Sequence, residues 1–262
     1  MKKNDEKINF ANLYDEHPEY VNRRSEGTYE RIAIDLEVKH FKGPNYVKLI
    51  KDLQINPNKI VEIGCGTGEL IAFLQKYFNS RCLGVDISPK NIDNAIKRFP
   101  KVNFLFGNFA DLEIEHSDIV ILSDVLEHVE NDVDFLKSAS QLANYVILNI
   151  PIEDNWLYRH RVYGPDDFAG HLRRYSPSSA LRLVEDANLS IMQWRQEWIH
   201  ESPADHLRRR ARHAIDGNFV TGNFTTRVIK HLVIVLVKIF PTLGRKLYPS
   251  SIFILAYKAI QK

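Results

Sequence analysis

The sequence predicts an α/β protein built on a parallel, doubly wound sheet. Three observations carry that expectation. Short β-rich runs alternate with helically patterned segments between residues 59 and 150. Right-handed crossovers then place helices on both faces of a parallel sheet. The first β-rich run ends in Gly64-Cys65-Gly66-Thr67-Gly68, directly before a helical pattern. The chain has 262 residues, 44% hydrophobic and 26% charged, which fits one large globular domain or one domain with an inserted cap.

The elements follow in order. Residues 1–57 show helical patterning at Tyr29–His40 and Tyr46–Leu53 and read as an N-terminal helical lid before a main domain of residues 58–262. Lys59–Ile63 is the first strand, and Leu70–Phe78 has helical spacing. Arg81–Val85 is the second strand, and Pro89 opens a helix reaching Phe99, since proline is at home in a first helical turn. Val102–Phe106, Asp118–Leu122 and Tyr145–Ile150 continue the strand series, with a helix over Asn131–Ala143 between the last two. Pro177–Ala187 reads as a helix, Leu189–Trp198 as a strand and Ile252–Lys258 as the final strand. The stretch between those last strands, about 199–251, is too long for a hairpin loop and reads as a helical cap insertion.

Composition narrows the class further. Two cysteines, Cys65 and Cys82, are too few for a disulfide framework and have no zinc-type spacing, so both are expected as reduced thiols of a cytoplasmic protein. No apolar run follows Met1–Lys7, and no secretory leader is expected. Net charge is +2, yet residues 155–262 carry 17 Lys and Arg against 8 Asp and Glu. That imbalance suits an anionic partner, or equally a solvated basic surface.

The glycine turn lets backbone N–H groups come close to a ligand at a helix start. Its G-x-G-x-G spacing differs from the G-x-G-x-x-G of dinucleotide binders. Eighteen residues beyond Gly68, the second strand ends in Gly84-Val85-Asp86-Ile87-Ser88-Pro89. A carboxylate at that strand tip accepts hydrogen bonds from ribose hydroxyls in nucleotide sites of this layout. Phe106-Gly107-Asn108-Phe109 follows the third strand, and Ser123-Asp124-Val125-Leu126-Glu127-His128 follows the fourth. All four turns fall at carboxyl ends of strands, where open α/β sheets bind ligands.

On Glu62–Glu69, Gly84–Pro89 and Asp124–His128, with a looser match over 170–188, the sequence resembles the class I S-adenosylmethionine-dependent methyltransferases, in particular their ubiquinone-biosynthesis-like small-molecule branch. The resemblance implies a Rossmann-like, mostly parallel sheet of seven strands whose last strand is antiparallel. It implies S-adenosylmethionine as cofactor. Gly64, Cys65, Gly66 and Gly68 would pass under its methionine part, and Glu62 would reach toward its amino group. Asp86 would hold the ribose and Ile87 would pack on the adenine. Asn108, where the family often has Asp, and Phe109 would meet the adenine edge, with Ser123 near the sulfonium.

Methyl transfer to a hydroxyl also needs a base, and histidine suits that near neutral pH. His128 and His171 are the candidates, each with an alternative as a turn or capping residue. Asp124, Arg173, Arg174 and Tyr175 are candidates for holding the acceptor, since arginine forks match carboxylate and phosphate. Asp124, Glu127 and His128 are metal-compatible types, but no further ligand cluster is evident and no metal is expected. The expected acceptor is a small molecule, sugar or lipid-linked glycan, anionic if the basic half meets it. The segment 226–246 places Arg227, His231 and Lys238 near one face of an apolar helix, which suits a peripheral membrane contact or a cap packed on the domain or on a second copy in a homodimer. The run from Arg208 to Arg212 motivates a nucleic-acid methyltransferase as an alternative, weakened by the absence of interleaved aromatics, and a non-catalytic S-adenosylmethionine-binding protein is a further one.

Overall fold

A computed structural model describes residues 10–155, 158, 161–164, 167, 169–199, 202–215, 224–247 and 249–258. Its helices are α1 (Phe10–Glu16), α2 (Pro18–Arg24), α3 (Tyr29–Glu37), α4 (Gly43–Asp52), α5 (Glu69–Phe78), α6 (Pro89–Arg98), α7 (Asp132–Ser140), α8 (Pro177–Asp186), α9 (Pro203–Ile215), α10 (Phe224–Ile239) and α11 (Pro241–Leu247). Its strands are β1 (Lys59–Ile63), β2 (Arg81–Asp86), β3 (Asn103–Phe106), β4 (Ser117–Ser123), β5 (Ala143–Pro151), β6 (Leu189–Glu197) and β7 (Ser251–Lys258).

The seven strands form one Rossmann-like sheet in the order β3-β2-β1-β4-β5-β7-β6. Strands β1 to β5 pair in parallel, and β7 runs antiparallel between β5 and β6. The order reverses between β1 and β4, so the crevice above their carboxyl ends is where this topology holds a ligand.

Alternation along the strands divides the core in two. Val61, Ile63, Val120, Leu122, Val146 and Leu148 face α7 and α8, which contribute Leu136, Leu183 and Val184. Ile60, Ile119, Ile121, Ile147, Phe253 and Leu255 face the opposite way, against Tyr46, Leu49 and Ile50 of α4 and Ile71 and Leu74 of α5. The N-terminal segment therefore does two different things. Helix α4 is core, with Tyr46, Leu49 and Ile50 fully buried, while α1 and α2 lie over the crevice. A π-helical turn, Val38–Lys42, joins α3 to α4. Such a turn widens the helix locally and re-aims a side chain, here Lys42.

The long connection between β6 and β7 contains α9, α10 and α11, as its length required. Helix α9 packs on α3. The expected insertion also covers residues 200–201, 216–223 and 248, which lie outside the described residues, as do the side chains of Arg212, Arg227 and Arg245. Helix α10 buries Val233 and Val237 but leaves Val228, Leu232, Val235 and Ile239 exposed, followed by Phe240 and Leu243.

Phe253 is fully buried, with Tyr46 and Phe41 edge-on at 5.5 and 5.7 Å between ring centroids. Phe253→Ala leaves a cavity between α4 and the sheet that rigid neighbours cannot fill. A loss of about 3–5 kcal/mol is expected in chemical denaturation. A change below 1 kcal/mol would show that α4 is not part of this core.

Candidate functional site

The glycine turn is shaped from beneath by β2. The amides of Gly64 and Cys65 both donate to the carbonyl of Val85, at 2.8 and 3.0 Å. Gly66 N–H donates to Asp86 Oδ2 at 2.8 Å, while the other carboxylate oxygen accepts from Ser88 N at 2.9 Å and Asn91 Nδ2 at 3.3 Å. Asp86 thus ties the turn to the start of α6. It is buried, and that burial raises its pKa. Gly68 has φ +85°, and a Cβ there would lie 2.7 Å from the Phe104 ring. It sets the entry of α5 and does not line the cavity.

The turns at the carboxyl ends of the strands surround a cavity of about 420 Å³. Glu62, Gly64, Cys65, Gly66, Asp86 and Ile87 are on its wall, and so are Asn108, Phe109, Ser123, Asp124, His128 and His171. Of the expected cofactor residues only Gly68 stands back from it. Glu62 Oε2 is buried without a hydrogen-bond partner, and burial pushes the Glu62 carboxyl well up. Ser123 Oγ is likewise buried and unpartnered. Asn108 Oδ1 accepts from Ala110 N at 3.3 Å, an N-cap for the short turn that carries Phe109.

The first two helices roof the cavity beside Asp86. Ser88 Oγ donates to Asp15 Oδ1 at 2.5 Å, and Arg24 bridges the carbonyls of Tyr14 and Asp15 to Asn91 Oδ1. Tyr20 hydroxyl donates to the carbonyl of Ala169 at 3.0 Å. Tyr14 packs edge-on against His128, 5.9 Å between centroids.

A chain of buried charges links the roof, the π turn and the cap. Arg23 pairs with Glu19 and Glu30, Arg208 of α9 with Glu30 and Glu37, and Lys42 with Glu37 and Asp124. Although burial disfavours its charge, Asp124 and Glu37 hold the Lys42 ammonium above the usual lysine range. Asp124 has φ +55° and also accepts from Asn149 Nδ2 at 2.8 Å. Its carboxylate is therefore already engaged by two donors. Among the described residues the cavity wall carries nine carboxylates, at positions 19, 37, 62, 69, 86, 124, 127, 153 and 205, against five Lys and Arg.

The two histidines, read from the sequence as alternative bases, lie side by side with 4.8 Å between ring centroids. His128 Nδ1 donates to the Gly170 carbonyl at 3.1 Å. A carbonyl only accepts, so the proton sits on Nδ1 and the neutral ring keeps its lone pair on Nε2. Burial, then the neighbouring His171, lowers the His128 pKa to about 3. His171 Nδ1 lies 2.8 Å from Glu153 Oε2, and the residue lines the cavity. Glu153 is in turn held by Arg161, which forks onto Asp167 at 2.8 and 2.9 Å. Glu127, 1% exposed, has neither carboxylate oxygen hydrogen-bonded. One ligand atom each from Glu127, His128 and His171 lies within 4.8 Å of the others. Glu127 is legible in the sequence beside His128, but its closeness to His171 is not, because 44 positions separate them, and Glu153 has no spacing signal because it stands two residues past a strand end.

Arg173, Arg174 and Tyr175 are not brought to the cavity. Arg173 donates to the carbonyls of Val129 and Glu130, both at 2.6 Å, and pairs with Asp132. Tyr175 hydroxyl donates to Asp132 Oδ2 at 2.6 Å and is buried. Arg174 is exposed and pairs with Asp154. Arg173 and Tyr175 lock the loop carrying His128 onto the start of α7, while Arg174 pairs with Asp154 at the surface.

Residues 38–193 match the family described as a methyltransferase domain. Norajmaline N-methyltransferase of Rauvolfia serpentina is 22% identical over 178 residues, 62% of this chain and 58% of the relative. Trans-aconitate 2-methyltransferase of Methylobacterium nodulans is 27% identical over 161 residues, 55% of this chain and 62% of the relative. The chain thus spans about three-fifths of the length of the curated relatives it matches. Among solved structures, magnesium protoporphyrin IX methyltransferase of Synechocystis with bound S-adenosylhomocysteine superposes with a TM-score of 0.57 at 15% identity, covering 92% of this chain and 93% of that one. A S-adenosylmethionine-dependent methyltransferase of Thermotoga maritima gives 0.56 at 17% identity, covering 95% and 99%. These likenesses establish the fold.

Arg208→Met removes the cation from between Glu30 and Glu37, both buried. Glu30 keeps Arg23 and Glu37 keeps Lys42, but each loses one of two cationic partners while buried, so a loss of at least about 2 kcal/mol and faster proteolysis within α9 are expected. Wild-type stability in the variant would show that the cap is held by apolar packing alone.

Proposed function

We propose a cofactor and a class of acceptor from the premise that this chain belongs to the methyltransferase domain family. The cofactor is S-adenosylmethionine, and the reaction is methylation of a hydroxyl on a small-molecule, sugar or lipid-linked acceptor. The observation that carries this reading is the cavity itself: the Asp86-tied glycine turn and the His128–His171 pair stand on one wall system. When bound, S-adenosylmethionine supplies a methyl group on a positively charged sulfur.

The residues fit that group. Glu62, with an unpartnered buried oxygen, offers a carboxylate to an ammonium. Asp86 presents its carboxylate at the tip of β2 for two adjacent hydroxyls. Ile87, 39% exposed, offers an apolar surface to a base. The excess of carboxylates on the wall favours a cofactor carrying two positive charges. It argues against the anionic acceptor that the basic second half suggested, because the cavity's cations are already paired: Arg161 with Glu153 and Asp167, Arg209 with Asp205, and Arg23, Lys42 and Arg208 as above. A neutral hydroxyl is the acceptor this wall suits. Its proton meets the Nε2 lone pairs of His128 and His171, with Glu153 orienting the latter as a carboxylate orients a catalytic imidazole. The roof of Phe10, Tyr14 and Tyr20 excludes water and holds the acceptor in line, which is where most of the rate of such a displacement originates.

The nucleic-acid alternative gains nothing from the arginine-rich segment. Arg208 turns inward, Arg209 pairs with Asp205, Arg212 lies outside the described side chains, and exposed Arg210 alone does not make a basic patch. The exposed stripe of α10 does support a peripheral contact. Val228, Leu232, Val235 and Ile239 lie along one face beside exposed His231 and Lys238, a pattern that suits the surface of an anionic bilayer. Among the described residues no helix is long and apolar enough to cross a membrane.

Calorimetric titration tests the cofactor. Micromolar binding of S-adenosylmethionine is expected, and Asp86→Ala should weaken it about ten- to a hundredfold, the loss of charge-assisted hydrogen bonds worth about 1.5–3 kcal/mol. Unchanged affinity in the variant would remove this site assignment. Binding without turnover on any hydroxyl acceptor would favour the non-catalytic alternative. For the surface contact, sedimentation with anionic liposomes is expected and should fall at least severalfold in Leu232→Ser/Ile239→Ser. Equal sedimentation of wild type and variant would assign α10 another role.

A further inference from the structure

We propose that Glu127, His128 and His171 bind a divalent first-row transition cation on the acceptor side of the cavity. The inference rests on the acceptor-site reading above and deepens it, since the cation would take the acceptor's oxygen as a further ligand.

The donor set comes first. Two imidazoles and a carboxylate, with one ligand atom each inside 4.8 Å, make a face of three ligands that leaves other positions open. Three ligand atoms about 2.1 Å from one cation stand roughly 3.0–3.4 Å apart, so separations of up to 4.8 Å would have to shorten by more than about 1 Å through side-chain rotation. The orientation is already correct. Each imidazole uses Nδ1 to bond a backbone or carboxylate oxygen, and His128 Nε2 lies 3.8 Å from Glu127 Oε1. That outer arrangement, histidine to carbonyl and histidine to carboxylate, is what fixes the tautomer and ring angle of metal-bound histidines. It extends a further layer: Glu153 is held by Arg161, and His171 N–H donates to Asp167 Oδ2 at 2.8 Å.

One further observation points to a ligand, and a second shows how His128 is held. Glu127 is 1% exposed, yet neither of its oxygens has a hydrogen-bond partner among the described residues. A buried carboxylate in that state carries a free-energy penalty that a cation would remove. Gly170 has φ +76°, and a Cβ there would stand 2.6 Å from Leu13 and 3.6 Å from His128 Nδ1. Its conformation delivers the carbonyl that orients His128 and leaves no room for a larger residue under the roof.

The excess of carboxylates on the wall supplies the field such a cation needs. Bound there, it would polarise the acceptor hydroxyl and let its proton pass to solvent; His128 and His171 would then serve as its ligands, which replaces the proton-accepting role given to them above and keeps the rest of the acceptor-site reading. This ligand set is incomplete in the linear sequence, where Asp124, Glu127 and His128 stand together but His171 does not.

Cobalt chloride titration of the chelator-stripped full chain is the direct test, read by the visible absorption of the bound ion and by native mass spectrometry. One equivalent bound per chain is expected. Glu127→Gln and His171→Asn should each weaken binding about tenfold or more. Gly170→Ala should also weaken it, by disturbing the orientation of His128. S-adenosylmethionine affinity of the same samples is measured in parallel as a check on folding. Less than half an equivalent of cobalt in the wild type would overturn the proposal, as would unchanged cobalt affinity in both ligand variants that retain cofactor binding. Cobalt bound with no S-adenosylmethionine affinity would instead sink the methyl-transfer reading and leave the cation site standing.

Discussion

Burying carboxylates around a single cavity is costly unless each finds a cation or an N–H donor. Much of the chain outside the sheet is arranged around that constraint. Asp86 is satisfied by Gly66, Ser88 and Asn91, and in satisfying it the glycine turn and the start of α6 acquire fixed positions. Glu30 and Glu37 are met by Arg23, Lys42 and Arg208, drawn from the roof, the π turn and the cap. Glu62 keeps one oxygen, and Glu127 both, without a hydrogen-bond partner and without a Lys or Arg paired to them among the described residues. Both lie on the cavity wall, where burial disfavours their charged forms and a bound cation would restore them.

The same network explains how separate segments become one site. The sheet alone gives a crevice at its switch point, open above. Arg208 reaches across from a connection inserted between β6 and β7, and Lys42 is turned inward by the π-helical segment between α3 and α4. Both meet at Glu37. Cap, roof support and strand end are therefore coupled through one carboxylate, and a shift of α9 is felt at Asp124, next to Glu127 and His128.

The fold was legible because its signals are local. Strand runs, the glycine turn and Pro89 or Pro177 at helix starts depend only on near neighbours, and β1 to β7 stand within a residue or two of where the pattern puts them. The short helices α1 and α2 were missed: each has seven residues, too few for periodicity to speak, and they are helical because they pack on Asp86's loop and on His128. The division of residues 1–57 into a roof and a core helix was hidden for a similar reason. Tyr46–Leu53 has the amphipathic spacing of a lid helix and of a core helix alike, and only the sheet face opposite decides between them.

The site was legible where one turn carries the chemistry and obscure where distant turns combine. Asp86 and the glycines share adjacent strands, so their spacing is a usable signal. His128 and His171 were both picked out, but as rival bases. Their Nδ1 bonds to Gly170 and Glu153 show instead that they are oriented as a pair. Arg173, Arg174 and Tyr175 misled because a cationic and aromatic run beside a candidate base resembles a ligand clamp. In the folded chain Arg173 and Tyr175 converge on Asp132 and fix the loop after β4. That loop is the one that bears Glu127 and His128. Their contribution is to rigidity, and rigidity is what a three-ligand cluster with open positions needs, because a cation gains from preorganised donors only if the backbone beneath them does not move.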